Sequence, residues 1–286
     1  MTLPFTRTPS GRKAKWRFYC EVLVWVEGRT DFCFYSEILR GLGVKLQDSG
    51  GCGCADLVGE MIQSDAPYVV VRDGDYFCLE CRRSRHKRLV MLHRYSSENY
   101  LFEEAACRAV SAHLAGTDPS DDPLDGEFER LLKLAEEKLF EAVALDVAAV
   151  QSHSELSVVP GGADPWLAGK RQLAFADGVI ARACASARAS LDPESISKAT
   201  EKVFRFLRER RLVDILRGRF AFGLVRRLVF LAVRRSRGRT PYLEDAALRA
   251  LLVKEVWAPP VGGDHASLRR RLRQAVRDAS QLRKLA

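Results

Sequence analysis

Acidic residues follow two short apolar stretches of the sequence, and they are the side chains best suited to chemistry. Val22 to Val26 is an apolar run followed by Glu27. Tyr68 to Arg72 is a second run of the same kind, followed by Asp73 and Asp75. Short β-branched and aromatic runs with polar flanks are typical of buried strands. Carboxylates at the ends of such strands offer the hard oxygen ligands that Mg²⁺ and Mn²⁺ prefer.

The spacing within each acidic pair predicts that its members face the same mouth of the fold. Asp31 lies one helical turn past Glu27, and Gly28 allows a sharp exit from the strand. Asp73 and Asp75 are two residues apart, and an extended segment points alternate side chains to the same side. The alternatives are a first-turn helix acid for Asp31 and an acidic turn for the second pair.

The elements around these acids alternate between strand and helix. The predicted order is strand 16–26, helix 31–42, strand 44–47, helix 55–64, strands 68–72 and 89–92, and helix 98–114. This alternation predicts an α/β fold with a mostly parallel sheet and flanking helices, whose ligand sites form at the carboxyl ends of the strands.

An acidic stretch punctuated by prolines, 117–126, predicts a domain boundary. Beyond it the apolar spacing is helical, with helices expected at 128–150, 166–190, 193–217, 220–235, 243–256 and 267–285. We therefore expect a flexible basic arm at 1–15, a sheet domain at 16–116 and an α-helical domain at 127–286.

Three motifs in this order resemble the TOPRIM domain of topoisomerases, primases and OLD-family nucleases. They are strand-Glu-Gly-x-x-Asp at Glu27, strand-Asp-x-Asp at Asp73, and Ser-x-Glu-Asn-Tyr-Leu beginning at Ser96. The resemblance covers roughly residues 20 to 105. It is closest to the small TOPRIM nucleases of bacterial anti-phage defence systems of the PARIS type.

The resemblance implies a nuclease that hydrolyses tRNA or DNA with two Mg²⁺ or Mn²⁺ ions. The carried-over metal ligands are Glu27, Asp31, Asp73, Asp75 and Glu98, and Glu27 is also expected to be catalytic. Phosphodiester hydrolysis uses such ions to neutralise phosphate charge and to make a nucleophile from water. The alternative for Glu98 is an acid at the N-terminus of the following helix, with Ser96 or Ser97 as the cap.

A basic tract at 201–239 carries thirteen Lys or Arg residues against three acids, and twelve of the thirteen are arginine. Forked arginine donors suit phosphate recognition, so the tract predicts contact with an RNA or DNA backbone. The expected contacts are Arg210, Arg211, Arg217, Arg226 and Arg227. Arg219 is the candidate for the cation that OLD-type enzymes place near the scissile phosphate. The alternatives are a solvated helix face, an interface for an acidic partner and, for Arg219, a solvated helix-end arginine.

Cysteine spacing raises a second metal hypothesis. Two pairs follow different strands: Cys52 with Cys54, and Cys78 with Cys81. Four thiolates could close a structural Zn²⁺ site, although free thiols are the favoured interpretation and redox use is a third. Eight cysteines without a small disulfide scaffold favour a reducing cytoplasm.

Charge and missing motifs suggest the partners. The net charge of +9 and pI near 9.3 indicate a polyanionic partner. The chain contains no Walker A motif, so the resemblance to OLD-type enzymes implies a separate ABC- or SMC-like ATPase partner. No apolar run approaches the roughly 20 residues that a membrane span needs, and we expect no membrane contact. A homodimer is left open. The competing hypothesis is a non-cleaving TOPRIM-fold module that binds nucleic acid or an acidic protein.

Overall fold

The computed structural model of the chain describes residues 19, 21–50, 53–64, 66–80, 86–121, 123–169, 171–258 and 262–285. The predicted basic arm at 1–15 lies outside these residues. The chain divides into two compact units, each built from separate stretches of sequence. The first comprises Met1–Asp73, Arg83–His93 and Trp257–Ala286, and the second comprises Gly74–Arg82 and Arg94–Val256.

Four strands form one parallel sheet in the first unit. They are β1 (Val22–Val26), β2 (Val44–Asp48), β3 (Val69–Arg72) and β4 (Leu89–Met91). Their order across the sheet is β2-β1-β3-β4, so that β1 and β3 are the central pair. Every residue of β1 is buried, which explains its continuous apolar sequence. The α/β class and the parallel sheet agree with the sequence-based prediction.

Nine α-helices lie within the described residues. They are α1 (Phe32–Ile38), α2 (Gly53–Ser64), α3 (Glu104–Ala115), α4 (Glu127–Gln151), α5 (Asp177–Ser190), α6 (Pro193–Leu207), α7 (Gly218–Arg237), α8 (Asp245–Val256) and α9 (Gly263–Leu285). The first unit holds α1, α2 and α9, and the second holds α3 to α8. No α-helix in the described part of the chain combines the length and apolarity needed to cross a bilayer.

One face of the sheet packs against α2. Its core consists of Leu23, Trp25, Tyr68 and Val70 from the strands and the segments leading into them, together with Cys54, Leu57, Met61 and Ala66. The Tyr68 hydroxyl donates to the carbonyl of Leu57 at 3.0 Å. Burial of these side chains removes the apolar faces of both elements from water, which stabilises the pairing.

The C-terminal helix α9 belongs to the first unit, whereas the sequence division placed it in the helical domain. Its arginines donate to backbone carbonyls of other elements of this unit. Arg273 contacts the carbonyls of Ile38 and Arg40 at 3.2 and 2.7 Å, and Arg271 contacts that of Met91 at 2.7 Å. The last carbonyls of a helix lack partners within it, so Arg273 satisfies the end of α1.

In the described part of the second unit, the regular elements are helices and one isolated β-bridge. Helix α4 packs against α5 and α6, and α3 packs against α7 and α8. The helix predicted over 193–217 is shorter, because α6 ends at Leu207. The chain beyond it turns so that Asn99 Nδ2 donates to the carbonyls of Val213 and Leu216, at 2.7 and 2.8 Å. A distant amide thus replaces the helical partners of these two carbonyls.

Candidate functional site

Glu27 and Asp73 follow the two central strands and lie together at the carboxyl edge of the sheet. Glu27 Oε1 accepts a hydrogen bond from the backbone N–H of Asp73 at 3.2 Å. Both residues are only partly buried. Of the predicted acids, these two are brought together within the first unit, as expected for acids that follow two strands of a parallel sheet.

Asp31 lies close to this edge in sequence but is buried, with 6% of its surface exposed. Its Oδ2 accepts a hydrogen bond from the backbone N–H of Gly28 at 3.2 Å. The carboxylate therefore closes the 3-10 turn Arg29–Asp31, which leads into α1. This contact is the one expected of an acid at a helix N-terminus.

Asp75 does not continue the extended segment that ends β3. Its φ angle is 42°, in the left-handed region, and it opens the 3-10 helix Asp75–Glu80. Its backbone N–H donates to the carbonyl of Tyr95 at 2.8 Å. A short polar side chain lets Asp adopt this conformation more readily than most residues. Alternation along a strand therefore does not relate Asp73 to Asp75, and a metal-ligand role for Asp75 stays a prediction.

Glu98 is buried in the second unit beside an arginine that sequence reasoning missed. Its Oε1 lies 3.1 Å from Arg249 Nη1, and its Oε2 accepts a hydrogen bond from Ser96 Oγ at 2.7 Å. Burial raises the pKa of Glu98, but Arg249 and Ser96 together lower it by more. The net result is a pKa below the ordinary value. Arg249 also lies over the Phe222 ring, 4.6 Å from its centroid. Arg249 is the one arginine of α8, and the local sequence does not indicate that its partner is Glu98.

Arg217 holds a fully buried carboxylate rather than projecting into solvent. Its Nε and Nη2 donate to the two oxygens of Asp146 at 2.8 and 2.9 Å. Asp146 also accepts from the Tyr76 hydroxyl at 2.5 Å and from the Val158 backbone N–H at 2.8 Å. Burial beside Asp146 raises the pKa of Tyr76 well above its ordinary value.

Three other arginines of the predicted nucleic-acid surface also hold carboxylates of this chain. Arg211 pairs with Glu103 and Asp214, Arg226 with Asp164 and Asp245, and Arg227 with Asp164. A phosphate would have to compete with these carboxylates for the guanidinium donors. Arg210 is partly buried, and Arg219 is exposed in the first turn of α7. The nucleic-acid contacts and the catalytic role of Arg219 stay predictions.

The acids at the sheet edge offer a small set of ligands for the metal that the motifs imply. Within the described residues, no three His, Cys, Asp or Glu side chains are grouped so that they could hold a metal ion. Mg²⁺, however, is commonly held by one or two carboxylates, with water and phosphate completing its shell. Glu27 and Asp73 fit that smaller donor set. The five-acid, two-ion shell stays a prediction, since Asp75 and Glu98 belong to the second unit.

Cys54 and Cys78 are both buried, one in each unit. Burial raises the pKa of Cys54 to about 11, which disfavours the thiolate form that metals bind. Cys78 Sγ donates to the carbonyl of Asp75 at 2.7 Å. Cys52 and Cys81 lie outside the described residues, so the structural zinc hypothesis is not decided by these contacts.

The comparisons with known proteins add no relative. No protein-family model matches the chain, and a search of curated proteins finds no match. The likeness to TOPRIM proteins therefore rests on the three motifs and on the parallel sheet that carries two of them.

Proposed function

We propose that the chain is a TOPRIM-type nuclease that hydrolyses phosphodiester bonds with Mg²⁺ or Mn²⁺ at the Glu27–Asp73 edge. The hydrogen bond between these two residues is the main support, because it joins the first acids of two motifs across neighbouring parallel strands. Sites of α/β proteins form at this edge of the sheet. Two adjacent carboxylates repel each other, and a divalent cation relieves that repulsion.

In this proposal each residue has a definite task. Glu27 and Asp73 would hold the ion through their carboxylates, and the Asp73 N–H fixes the orientation of Glu27. When bound, the ion would neutralise phosphate charge and make water a better nucleophile near neutral pH. Asp31 keeps Gly28 in place and so sets the path of the chain directly after Glu27.

We extend the proposal to the biological setting implied by the resemblance. The chain would be the effector of a cytoplasmic anti-phage defence system, with tRNA or DNA as substrate. By the same resemblance a separate ATPase would control the chain, since such an effector must be restrained in uninfected cells. The positive net charge supports a polyanionic substrate.

Cleavage assays on the full-length chain test the central proposal. Labelled tRNA and a labelled DNA duplex are incubated with Mg²⁺, with Mn²⁺ and with EDTA. We expect metal-dependent cleavage that falls at least about a hundredfold in Glu27→Gln and Asp73→Asn. Asp56→Asn is the matched control, because Asp56 is an exposed acid of α2 in the same unit. Cleavage that persists in EDTA or in Glu27→Gln would contradict the proposal.

A non-cleaving module that binds nucleic acid or an acidic protein is the second candidate function. It is favoured by the internal contacts of Asp31 and Glu98 and by the lack of a three-ligand metal group among the described residues. In that case the wild-type chain binds labelled tRNA or duplex without cutting either, and Glu27→Gln binds equally well.

A further inference from the structure

Arg72 occupies a position at the acidic edge that neither the motifs nor the basic tract singled out. It is the last residue of β3 and directly precedes Asp73. Trp25 of β1 and Val70 of β3 are partners in the sheet, and both belong to the core against α2. Glu27 lies two residues after Trp25, and Arg72 lies two residues after Val70. Alternation along β3 therefore sends the Arg72 side chain to the α2 face, at the mouth beside Glu27.

The guanidinium of Arg72 has an unmet hydrogen-bonding requirement. Its Nε is buried and has no hydrogen-bond partner among the residues that the structure describes. The residue as a whole is only partly buried. A buried donor without an acceptor is costly, and structures tolerate it mainly where another group supplies the acceptor.

The Cys54 thiol gives independent support for a cluster of charges at this place. Burial is the main cause of its raised pKa, and Glu27 and Asp73 add to it while Arg72 opposes it. One thiol is therefore within electrostatic range of all three charged residues. Arg72 thus brings a positive charge to an edge that otherwise carries two carboxylates.

We propose that Arg72 donates to a phosphate of the nucleic acid held at the Glu27–Asp73 edge. This inference rests on the proposed nuclease function and assigns to Arg72 the phosphate-contacting role predicted for Arg219. A phosphate approaching two carboxylates is repelled, and a fixed guanidinium beside them offsets that repulsion. Arginine offers forked donors that match two phosphate oxygens, which a lysine ammonium cannot reproduce.

Binding of the full-length chain to labelled tRNA and to a labelled DNA duplex tests the inference. Fluorescence anisotropy is measured in EDTA, so that no cleavage occurs, across roughly 50 to 200 mM salt. We expect Arg72→Gln to weaken binding about tenfold and to reduce the slope of log affinity against log salt by about 0.7–0.9, the value for one phosphate contact. A purely structural role for Arg72 would lower thermal stability and leave this slope unchanged.

Two further variants keep the test decisive. Arg40→Gln removes an exposed, ion-paired charge of the same unit and should leave the slope at its wild-type value. Arg72→Lys keeps the charge but loses the fork, and we expect it to fold, retain the slope and bind several-fold more weakly. An Arg72→Lys variant with wild-type affinity and cleavage would overturn the inference, even if Arg72→Gln fails to fold.

The possible failures are distinguishable. If wild-type chain cleaves nucleic acid and Glu27→Gln does not, while Arg72→Gln keeps wild-type slope and kcat/KM, only the role of Arg72 is refuted. If wild-type chain neither binds nor cleaves either probe, the proposed function and the role of Arg72 fail together.

Discussion

Glu27 Oε1 accepts the backbone N–H of Asp73 at 3.2 Å, which ties the end of β1 to the end of β3. The contact holds the Glu27 carboxylate in a fixed orientation against the backbone of Asp73. Two acids at one edge of the sheet repel each other, and a cation or solvent can offset that repulsion. This relationship predicts metal binding at the edge, which can be measured separately from cleavage.

We expect Mg²⁺ to stabilise the wild-type chain and not Glu27→Gln. At roughly ten times its Kd, one ion bound to the folded state raises the free energy of unfolding by about 1.4 kcal/mol. Glutamine keeps an acceptor for the Asp73 N–H, so in EDTA its unfolding free energy should lie within about 1 kcal/mol of wild type. Thermal melts with Mg²⁺ and with EDTA measure both quantities. Asp56→Asn should respond to Mg²⁺ like wild type, and an equal response from Glu27→Gln would argue against metal binding at this edge.

We expect Gly218→Ala to destabilise the second unit by about 1–3 kcal/mol. A Cβ at this position would lie 2.6 Å from Glu98 Oε2 and closer still to Ser96 Oγ. The matched control is Gly59→Ala in α2, where a Cβ meets nothing within 4 Å. Alanine there should raise the unfolding free energy by about 0.5–1 kcal/mol, since glycine weakens a helix interior. Urea unfolding measures both variants, and equal effects would mean that the contact with Glu98 relaxes freely.

We expect Asp146→Asn to cost about 2–4 kcal/mol of unfolding free energy. Losing one partner of a buried ion pair costs about 3–5 kcal/mol, and the partial exposure of Arg217 reduces that figure. The new amide also places a donor against donors from Arg217 or Tyr76. Asp177→Asn removes a carboxylate that pairs with Lys138 at the surface, and it should cost much less unfolding free energy than Asp146→Asn. Chemical denaturation measures the unfolding free energy of both variants. A similar loss of stability in the two would mean that Asp146 has no special structural role.

We expect the contribution of Glu98 to stability to disappear in acid. Its pKa in the folded chain lies below the ordinary value of 4.5, because Arg249 and Ser96 outweigh the opposing effect of burial. The unfolded chain therefore binds the proton more readily, so the stabilisation is fully present above about pH 4.5 and is lost as the pH falls through the folded pKa.

Urea unfolding of wild type and Glu98→Gln across this pH range measures the effect. The difference in unfolding free energy between the two should be largest near neutral pH and should shrink on acidification. Glu129→Gln, at an exposed position of α4, should show no such trend. A difference that stays constant down to the acid limit would mean that Arg249 does not stabilise the Glu98 carboxylate.

The sequence was sufficient to predict the sheet and the position of the acids Glu27 and Asp73. Short β-branched and aromatic runs predict buried strands, because side chains on both faces must avoid water. The four strands occur close to the predicted positions, and β1 and β3 end next to Glu27 and Asp73. An acid that directly follows a parallel strand must lie at the carboxyl edge of the sheet, because all the strands end at that edge.

Only the tertiary structure decided which charges meet. Arg217 pairs with Asp146, 71 residues away in sequence, and Glu98 pairs with Arg249 of another helix. The basic tract predicts a surplus of positive charge but cannot rank its arginines, because ion pairs depend on which helix faces come into contact. The same reason applies to α9. Its sequence does not show that its arginines donate hydrogen bonds to backbone carbonyls of the sheet unit, as they do in the folded chain. Sequence periodicity records local geometry, whereas long-range pairing depends on packing that no local pattern encodes.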